Sequence, residues 1–205
     1  MKIAILGGTG SFGRPLATRL KDAGYDVLVG SRDAARGREA GAELGVGGGA
    51  NEDVVREADL VVLAVKAEGA LDTARELAGA IGSTPVLSVA SHIRFTKEGV
   101  LPDPDAASLA ERVQAVLAGP VVAGLHSVAA ATLGDEEPPD EDALVCGDDA
   151  GAKALVLEVA AKICGRAVDA GPLASARALE GLTAVIVNVN KRYKAHAGIR
   201  VTGLA

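Results

Sequence analysis

Short runs of aliphatic residues alternate along this chain with longer segments in which apolar residues recur every three or four positions. The short runs are typical of buried strands in a parallel sheet, and the longer segments are typical of amphipathic helices. The predicted strands are Lys2–Leu6, Val27–Gly30, Leu60–Val65, Val86–Val89, Val121–Leu125, Ala143–Cys146 and Arg166–Asp169. The predicted helices are Ser11–Ala23, Asp33–Leu44, a short helix capped by Asn51 that runs to Glu57, Glu68–Ile81, Ala107–Leu117, Ala150–Gly165 and Leu173–Tyr193.

Strands that alternate with helices predict an α/β fold, a doubly wound parallel sheet with a small C-terminal α/β extension on the same sheet. Three segments carry turn or polar residues and are predicted as loops: Gly45–Gly49, which has room for a very short strand, Phe95–Asp105, and Leu133–Asp142. Because no linker long enough to separate two domains is present, residues 1–205 are predicted to form a single domain.

A glycine-rich turn with the spacing Gly8-x-Gly10-x-x-Gly13 follows the first strand directly and opens the first helix. In that setting the spacing is the signature of a Rossmann-type dinucleotide site. We expect Gly8 to permit the tight turn, Gly10 to let the backbone approach a pyrophosphate, and Gly13 to let the helix pack close to the strand. The pyrophosphate would lie at the helix N-terminus, beside Ser11 and Phe12.

The end of the second strand indicates which dinucleotide binds. An NAD site usually has an acidic residue there for the ribose hydroxyls, whereas this chain has Gly30, Ser31 and Arg32. Arg32, Arg36 one helical turn later, Ser31 and the hydroxyl of Thr9 can all donate to a 2′-phosphate. We therefore predict NADP(H). The alternative is that the arginines, with Arg38 and the nearby Asp33, form a solvated helix face.

Composition and charge predict an aliphatic core and argue against nucleic acid, a metal ion or a membrane as a partner. Hydrophobic residues make up 49% of the 205 residues and aromatic residues only 2%, with no Trp, so the core and any ring-binding site are aliphatic. The net charge of −6 without a basic stripe predicts that nucleic acid is not a partner. The two cysteines lack CxxC spacing and the three histidines lack metal-ligand spacing, so no metal is predicted. With no apparent signal peptide or membrane-length apolar run, a cytoplasmic location without membrane association is expected.

Ligands bind at the carboxyl ends of parallel strands, which places further candidates at this edge of the sheet. His126 directly follows a strand and could hydrogen-bond a flat heterocycle, or it could only cap backbone groups. Ser88 and Ser91 could bind a ligand or the loop backbone, and Lys66 could bind a phosphate or solvent. No Ser-Tyr-x-x-x-Lys arrangement is present, which suits hydride exchange between two cofactors that need proximity rather than an acid–base pair.

Several segments together resemble the NADPH-dependent F420 reductases, also called F420:NADP oxidoreductases. The resemblance runs over nearly the whole chain in order and spacing, and the segments that carry it are Gly7–Gly13, Val29–Arg32, Asn51–Asp53, Ala58–Leu63, Leu71–Ala74, Gly124–Ser127, Cys146–Asp149 and Asp169–Leu173. It implies hydride transfer between NADP(H) and the deazaflavin coenzyme F420 by a homodimer. It also implies a dinucleotide-binding core over 1–125 and a C-terminal part, 126–205, that completes the deazaflavin site and the dimer contact.

The resemblance assigns roles to individual residues. The adenosine-phosphate side of NADP would be bound by Thr9–Phe12, Ser31, Arg32 and Arg36, and the rest of its path would be lined by Val65, Ala67, Leu71 and Ala130. His126 and Val128 would hold the nicotinamide and the deazaflavin face to face, with His126 orienting the ring, and Ser88 and Ser91 would lie near the deazaflavin. Arg177 could meet the anionic tail of F420, or it could be a solvated or dimer-contact residue.

Two other functions fit the glycine loop and Arg32 equally well. One is an NADP-dependent reductase or dehydrogenase of a small metabolite, for which the chain lacks an identifiable acid–base residue. The other is a non-enzymatic NADP sensor, which would bind NADPH without turnover.

Overall fold

A single sheet of eight strands with helices on both faces forms the body of the computed structural model, which describes residues 1–105 and 107–204. The described residues form ten strands, two of them in a separate hairpin: β1 Lys2–Leu6, β2 Asp26–Ser31, β3 Gly47–Ala50, β4 Leu60–Leu63, β5 Val86–Ser88, β6 Ile93–Phe95, β7 Val100–Pro102, β8 Val121–Gly124, β9 Asp142–Gly147 and β10 Arg166–Asp169. The α-helices are α1 Gly13–Asp22, α2 Ala34–Leu44, α3 Asn51–Arg56, α4 Ala67–Ile81, α5 Leu109–Gln114, α6 Ala130–Leu133, α7 Ala150–Ile163 and α8 Ala176–Tyr193, with a 3₁₀ turn at Leu173–Ser175.

The sheet has the strand order β10-β9-β8-β5-β4-β1-β2-β3. The first six sheet strands in the chain are parallel, and the two faces carry separate aliphatic cores, one with α1, α2 and α7 and the other with α3, α4, α5 and α8. The predicted doubly wound sheet with its C-terminal extension is confirmed. The cores contain Leu, Val, Ile and Ala almost throughout, as the low aromatic content requires.

The C-terminal extension runs in the opposite direction to the rest of the sheet. β9 pairs antiparallel with β8, with Val122 opposite Gly147, and β10 is parallel to β9. The residues after β9 therefore lie at the edge where β8 begins. There Asp148 accepts a hydrogen bond from the N–H of Leu173, and Asp149 caps α7. The Cys146–Asp149 segment, which carries part of the family resemblance, thus fixes the extension rather than the ligand edge.

Residues 93–102 form an antiparallel hairpin, so the prediction of a loop over Phe95–Asp105 was wrong for its first part. Both strands are three residues long and mostly exposed, which leaves no apolar alternation to read. Asn188 of α8 holds the second strand, because its side chain accepts from the N–H of Val100 at 2.9 Å and donates to its carbonyl at 2.7 Å.

Glycines bring α2 directly onto β3. A Cβ on Gly37 would clash with the carbonyl oxygen of Gly49, a Cβ on Gly48 would clash with the carbonyl oxygen of Gly37, and a Cβ on Gly41 would lie 2.8 Å from the carbonyl oxygen of Gly47. The segment predicted as a turn with a very short strand is this edge strand. Helix and strand backbones touch here, which fixes the position of α2 and of the arginines at its start.

Two details of the helix prediction change. Asn51 is the first residue of α3 and not its cap, because Ala50 is the extended residue before the helix and no side chain caps it. The helix predicted from Leu173 begins as a 3₁₀ turn and becomes α-helical at Ala176. Within 1–105 and 107–204, no helix is long and apolar enough to cross a membrane.

Candidate active site

The glycine loop after β1 is shaped by close backbone contacts. Gly7 has φ +82°, a conformation that side chains disfavour, and a Cβ there would lie 2.7 Å from the carbonyl oxygen of Ala64. A Cβ on Gly13 would clash with the carbonyl oxygen of Gly7. The glycine with the left-handed conformation is therefore Gly7 and not Gly8, whose Cβ would instead meet Val29. No side chain caps α1, and in its first turn the N–H of Arg14 donates to the carbonyl of Gly10 at 3.1 Å while Pro15 has none, so the N–H of Gly13 and the helix dipole favour an anion here.

The end of β2 presents two arginines to the same side of the sheet. Asp33 caps α2 by accepting from the N–H groups of Ala35 at 2.8 Å and Arg36 at 3.3 Å. Its carboxylate is thus engaged by the backbone. Neither Arg32 nor Arg36 has a carboxylate partner among the described residues, and both line the cleft. These contacts favour an anion-binding role for both over the alternative of a solvated helix face.

One cleft of about 810 Å³ connects the ends of β1, β2, β3, β4 and β5, a volume suited to a cofactor. Its lining includes Gly7, Thr9, Gly10, Ser11, Phe12, Gly30, Ser31, Arg32, Asp33, Arg36, Asn51, Ala64, Val65, Lys66, Ala67, Gly69, Thr73, Val89, Ala90, Ser91, Ile93 and Thr183. Another void, of about 10 Å³, lies within the aliphatic core and has only apolar walls.

Charge divides the cleft into two regions. Arg32, Arg36 and Lys66 are cationic and Asp33 is the one acidic residue among its lining residues, whereas the whole chain has a net charge of −6. The other region, at the ends of β4 and β5, is lined by small and aliphatic residues such as Val65, Val89 and Ala90. The cleft therefore has two arginines at the end of β2 and, apart from Lys66 just after β4, an apolar surface at its other end.

Helix α8 supplies the wall opposite the strand ends. Thr183 Oγ1 donates to the carbonyl of His126 at 3.1 Å and shares a 2.8 Å hydrogen bond with Ser91 Oγ. One turn earlier, the buried carboxylate of Glu180 accepts from the N–H groups of Leu109 and Ala110 at 3.0 Å each. Burial raises the pKa of Glu180 above its usual range. These contacts tie the wall to α5 and to the segment after β5.

His126 is buried behind this wall rather than among the cleft's lining residues. It follows Leu125, a buried non-glycine residue with φ +64°, which is strained backbone. Both ring nitrogens of His126 lack a hydrogen-bond partner, as does Ser88 Oγ on the adjacent strand, and all three atoms are buried. Burial lowers the pKa of His126 to about 4, so its imidazole is neutral near pH 7.

The predicted site residues separate into three groups. Those in the cleft are Thr9, Gly10, Ser11, Phe12, Ser31, Arg32, Arg36, Val65, Ala67 and Ser91. Gly8 and Gly13 shape the loop beneath it. Those outside its lining are the buried Ser88, His126 and Val128, the half-buried Leu71 and Ala130, and the exposed Arg177, which donates to the carbonyl of Asp105.

Sequence reasoning missed several cleft residues, notably Asn51, Thr73, Ile93 and Thr183. Asn51 could have been found, because it stands at the carboxyl end of β3 and the strand-end rule applies there as it does to β2. Thr183 lies within a long helix and Ile93 in an unrecognised hairpin, and no local pattern marks either.

The spacing of the histidines along the chain gave no sign of a cluster of possible metal ligands that lies at the base of the hairpin. The possible ligand atoms of His92, Asp103 and Asp105 lie within 4.8 Å of one another. His92 Nδ1 pairs with Asp103, and Asp105 pairs with Arg112 at 3.2 Å. These contacts account for the cluster, and the absence of a metal stays a prediction.

The unusual burial of His126 gives a testable pH dependence. Its pKa of about 4 lies below the unfolded value of about 6.5, so the unfolded chain binds the extra proton first as the pH falls. The free energy of unfolding at pH 4 should therefore lose about 3 kcal/mol relative to pH 7 from this residue alone. Urea unfolding of the wild type and of His126→Gln at both pH values measures the difference.

In that experiment, His126→Gln should lose less stability on acidification than the wild type, while the exposed His196→Gln should behave like the wild type. Equal acid sensitivity in all three proteins would contradict the neutral, buried state of His126.

Comparison with known proteins places the chain among named relatives. A family model described as "NADP oxidoreductase coenzyme F420-dependent" matches residues 2–92. The F420-dependent NADP reductase of Methanocaldococcus jannaschii is 37% identical, over 100% of this chain and 99% of that protein. The protein of the same name from Methanothermobacter thermautotrophicus is 33% identical, over 100% of this chain and 96% of its own length.

Solved structures agree in fold. A protein from Arthrobacter sp. FB24, described as a candidate F420-dependent NADP reductase, has a TM-score of 0.82 at 26% identity, over 98% of this chain and 100% of that chain. An imine reductase from Streptomyces aurantiacus shares the fold with a TM-score of 0.60 at 22% identity, over 95% of this chain and 62% of its own.

Proposed function

This chain belongs to the family of coenzyme F420-dependent NADP oxidoreductases, and we propose that it catalyses hydride transfer between NADP(H) and coenzyme F420. In the direction of F420 reduction, NADPH supplies a hydride from its nicotinamide and the deazaflavin takes up that hydride and one proton, giving NADP⁺ and reduced F420. The observation that carries the proposal is one cleft that joins a glycine loop, two unpaired arginines and the apolar ends of β4 and β5.

The residues present fit NADP(H). The uncapped N-terminus of α1 would bind the pyrophosphate, and Arg32 and Arg36 with Ser31 would bind the 2′-phosphate. The apolar end, with Val65 and Ala67, would take the nicotinamide. The cleft runs past the ends of β1, β2 and β4, so an extended dinucleotide would lie along the strand ends.

The wall made by α8 supports a second ring site beside the nicotinamide. Thr183 and Ser91 line the cleft there and share a hydrogen bond, and small aliphatic side chains leave space for a flat ring. We propose that the chain's contribution to the reaction is to align two rings face to face and exclude water. His126 would orient the second ring, either by a shift of its buried imidazole or through the carbonyl that holds Thr183.

A direct assay tests the reaction. Mixing the purified protein with NADPH and oxidised F420 should bleach the deazaflavin absorbance, and NADH should replace NADPH poorly. Bleaching by both nucleotides at equal rates would keep the reaction but contradict the phosphate site. If NADPH binds and no bleaching occurs, the reaction is overturned, and a small-metabolite reductase or an NADP sensor takes its place.

We further propose that the protein is a homodimer, with residues 126–205 supplying the second ring site and much of the dimer contact. Five large apolar side chains are exposed on the hairpin and on α8: Phe95, Leu101, Val185, Val189 and Tyr193. The three α8 residues are spaced four apart and so form one stripe, whereas Lys191, whose ammonium lies over the ring of Phe95, stands on another face of α8. An exposed apolar stripe of this kind on a helix is typical of an interface.

Charge placed in this stripe should dissociate the dimer. We expect Val189→Glu to shift the molar mass measured by light scattering from about two chains to one, because an unpaired carboxylate would have to be desolvated. Ala154→Glu, an exposed position on α7, is the matched control and should leave the mass unchanged. A wild-type mass of one chain would contradict the dimer, and an unchanged Val189→Glu dimer would place its interface elsewhere.

A further inference from the structure

Asn51 lies beside the cationic end of the cleft. Ser31, the last residue of β2, pairs with Ala50, the last residue of β3, in the parallel register. Neighbouring strands are about 4.8 Å apart, so Asn51, which follows Ala50 directly, stands next to the segment that carries Ser31 and Arg32. All three residues line the cleft.

The carboxamide of Asn51 has no structural task in the described chain. It does not cap α3, and its Oδ1 is buried without a hydrogen-bond donor. The side chain packs on Gly30, where a Cβ would lie 2.7 Å from Oδ1. Buried polar atoms in folded proteins are nearly always hydrogen-bonded. The missing donor is therefore expected from whatever fills the cleft.

The neighbouring side chains indicate which ligand group that donor belongs to. Arginines only donate, so Arg32 and Arg36 suit a phosphate but cannot accept from a hydroxyl. The carboxylate of Asp33 is engaged with the N-terminus of α2, and Ser31 Oγ already accepts from the N–H of Asp33 at 3.2 Å. The carboxamide of Asn51 combines a free acceptor with a donor, as the Thr9 hydroxyl also does, but Asn51 is the one that directly follows the residue paired with Ser31.

We infer that Asn51 is a specificity-determining residue that reads the phosphorylated ribose of NADP(H). Its Oδ1 accepts from the remaining ribose hydroxyl, and its Nδ2 donates to the adjacent 2′-phosphate. Gly30 is needed at the end of β2 because a side chain there would displace this carboxamide. The inference rests on the proposed function only in that NADP(H) occupies the cleft, and it does not depend on F420 as the second substrate.

Substitution by aspartate tests the inference most directly. Asn51→Asp removes the donor and places a negative charge beside the 2′-phosphate, while its carboxylate accepts from both hydroxyls of an unphosphorylated ribose. NADPH should bind about 30-fold more weakly than to the wild type, and NADH should bind at least as tightly as to the wild type. The preference for NADPH over NADH, measured as the ratio of their dissociation constants, should therefore fall by about 30-fold or more. Dissociation constants can be measured from nicotinamide fluorescence, because the protein has no Trp.

Two further variants make the result specific. Arg56→Gln changes the net charge by the same amount at an exposed position of α3, five residues from Asn51 and outside the cleft's lining, and should leave both affinities unchanged. Asn51→Leu keeps the size without hydrogen-bonding capacity and should weaken NADPH more than NADH, so it replaces the aspartate variant if that fails to fold. A purely structural role would weaken both nucleotides equally.

The outcomes separate this inference from the proposed reaction. An unchanged ratio of NADPH to NADH affinity in Asn51→Asp or Asn51→Leu overturns the role of Asn51, whatever the activity. Wild-type protein that binds NADPH and does not reduce F420 overturns the reaction and leaves the role of Asn51 standing. Wild-type protein that binds neither nucleotide overturns both.

Discussion

Replacing Arg32 with alanine should weaken NADPH binding by about 50-fold and leave NADH binding nearly unchanged. The guanidinium lines the cleft, has no carboxylate partner among the described residues, and stands where β2 ends. Its loss would remove charge-assisted hydrogen bonds that only a phosphorylated ribose can make. The effect should appear in kcat/KM for NADPH with little change in kcat, because the phosphate is remote from the reacting rings.

A matched control for this variant lies on the neighbouring helix α2. Arg38 is exposed and does not belong to the cleft's lining, so Arg38→Ala loses the same charge without touching the site. We expect it to retain the wild-type preference. If both variants lost NADPH affinity equally, the arginines would act through the general field of this region, and the local phosphate site would be wrong.

The largest expected effect on stability comes from Gly37. A Cβ there would clash with the carbonyl oxygen of Gly49, and a backbone atom cannot rotate away as a side chain can. Gly37→Ala should therefore force α2 away from β3 and lower the free energy of unfolding by about 3 kcal/mol. Because α2 carries Arg36, the folded fraction should also bind NADPH more weakly.

At Gly79 the same substitution by alanine should raise the free energy of unfolding rather than lower it. It lies within α4, and a Cβ there would meet nothing within 4 Å. Gly79→Ala should raise stability by about 0.5–1 kcal/mol through the better helix propensity of alanine. Urea unfolding of both variants measures the contrast. A Gly37→Ala protein as stable as the wild type would mean that the helix and strand separate without cost.

The sequence carries most of the fold because its strands are short aliphatic runs and its turns contain glycine. The glycine loop and Arg32 stand beside strand ends, so the cationic half of the cleft follows from the order of the residues alone. The same logic should have included Asn51, but β3 is built mostly of glycine and offers no apolar run to identify it as a strand.

The direction of β9 and the position of Thr183 could not be predicted from any local pattern in the sequence. The run Ala143–Cys146 predicts a strand, yet nothing in it specifies that β9 runs antiparallel to β8, since direction follows from where the connecting chain lies. Thr183 reaches the cleft only because α8 crosses back over the sheet, and its hydrogen-bond partner Ser91 is 92 residues earlier in the chain. Such contacts depend on tertiary packing.

The reversed direction of β9 and β10 has a consequence for the order of folding during synthesis. β10 ends at the edge away from the cleft, so α8 begins near there and, at about 1.5 Å per residue, extends about 27 Å back toward it. The segment that forms the glycine loop and phosphate site leaves the ribosome long before α8 does. Every residue assigned to the phosphate end of the cleft is thus synthesised by residue 51, whereas the wall containing Thr183 is completed only after nearly the whole chain has been made.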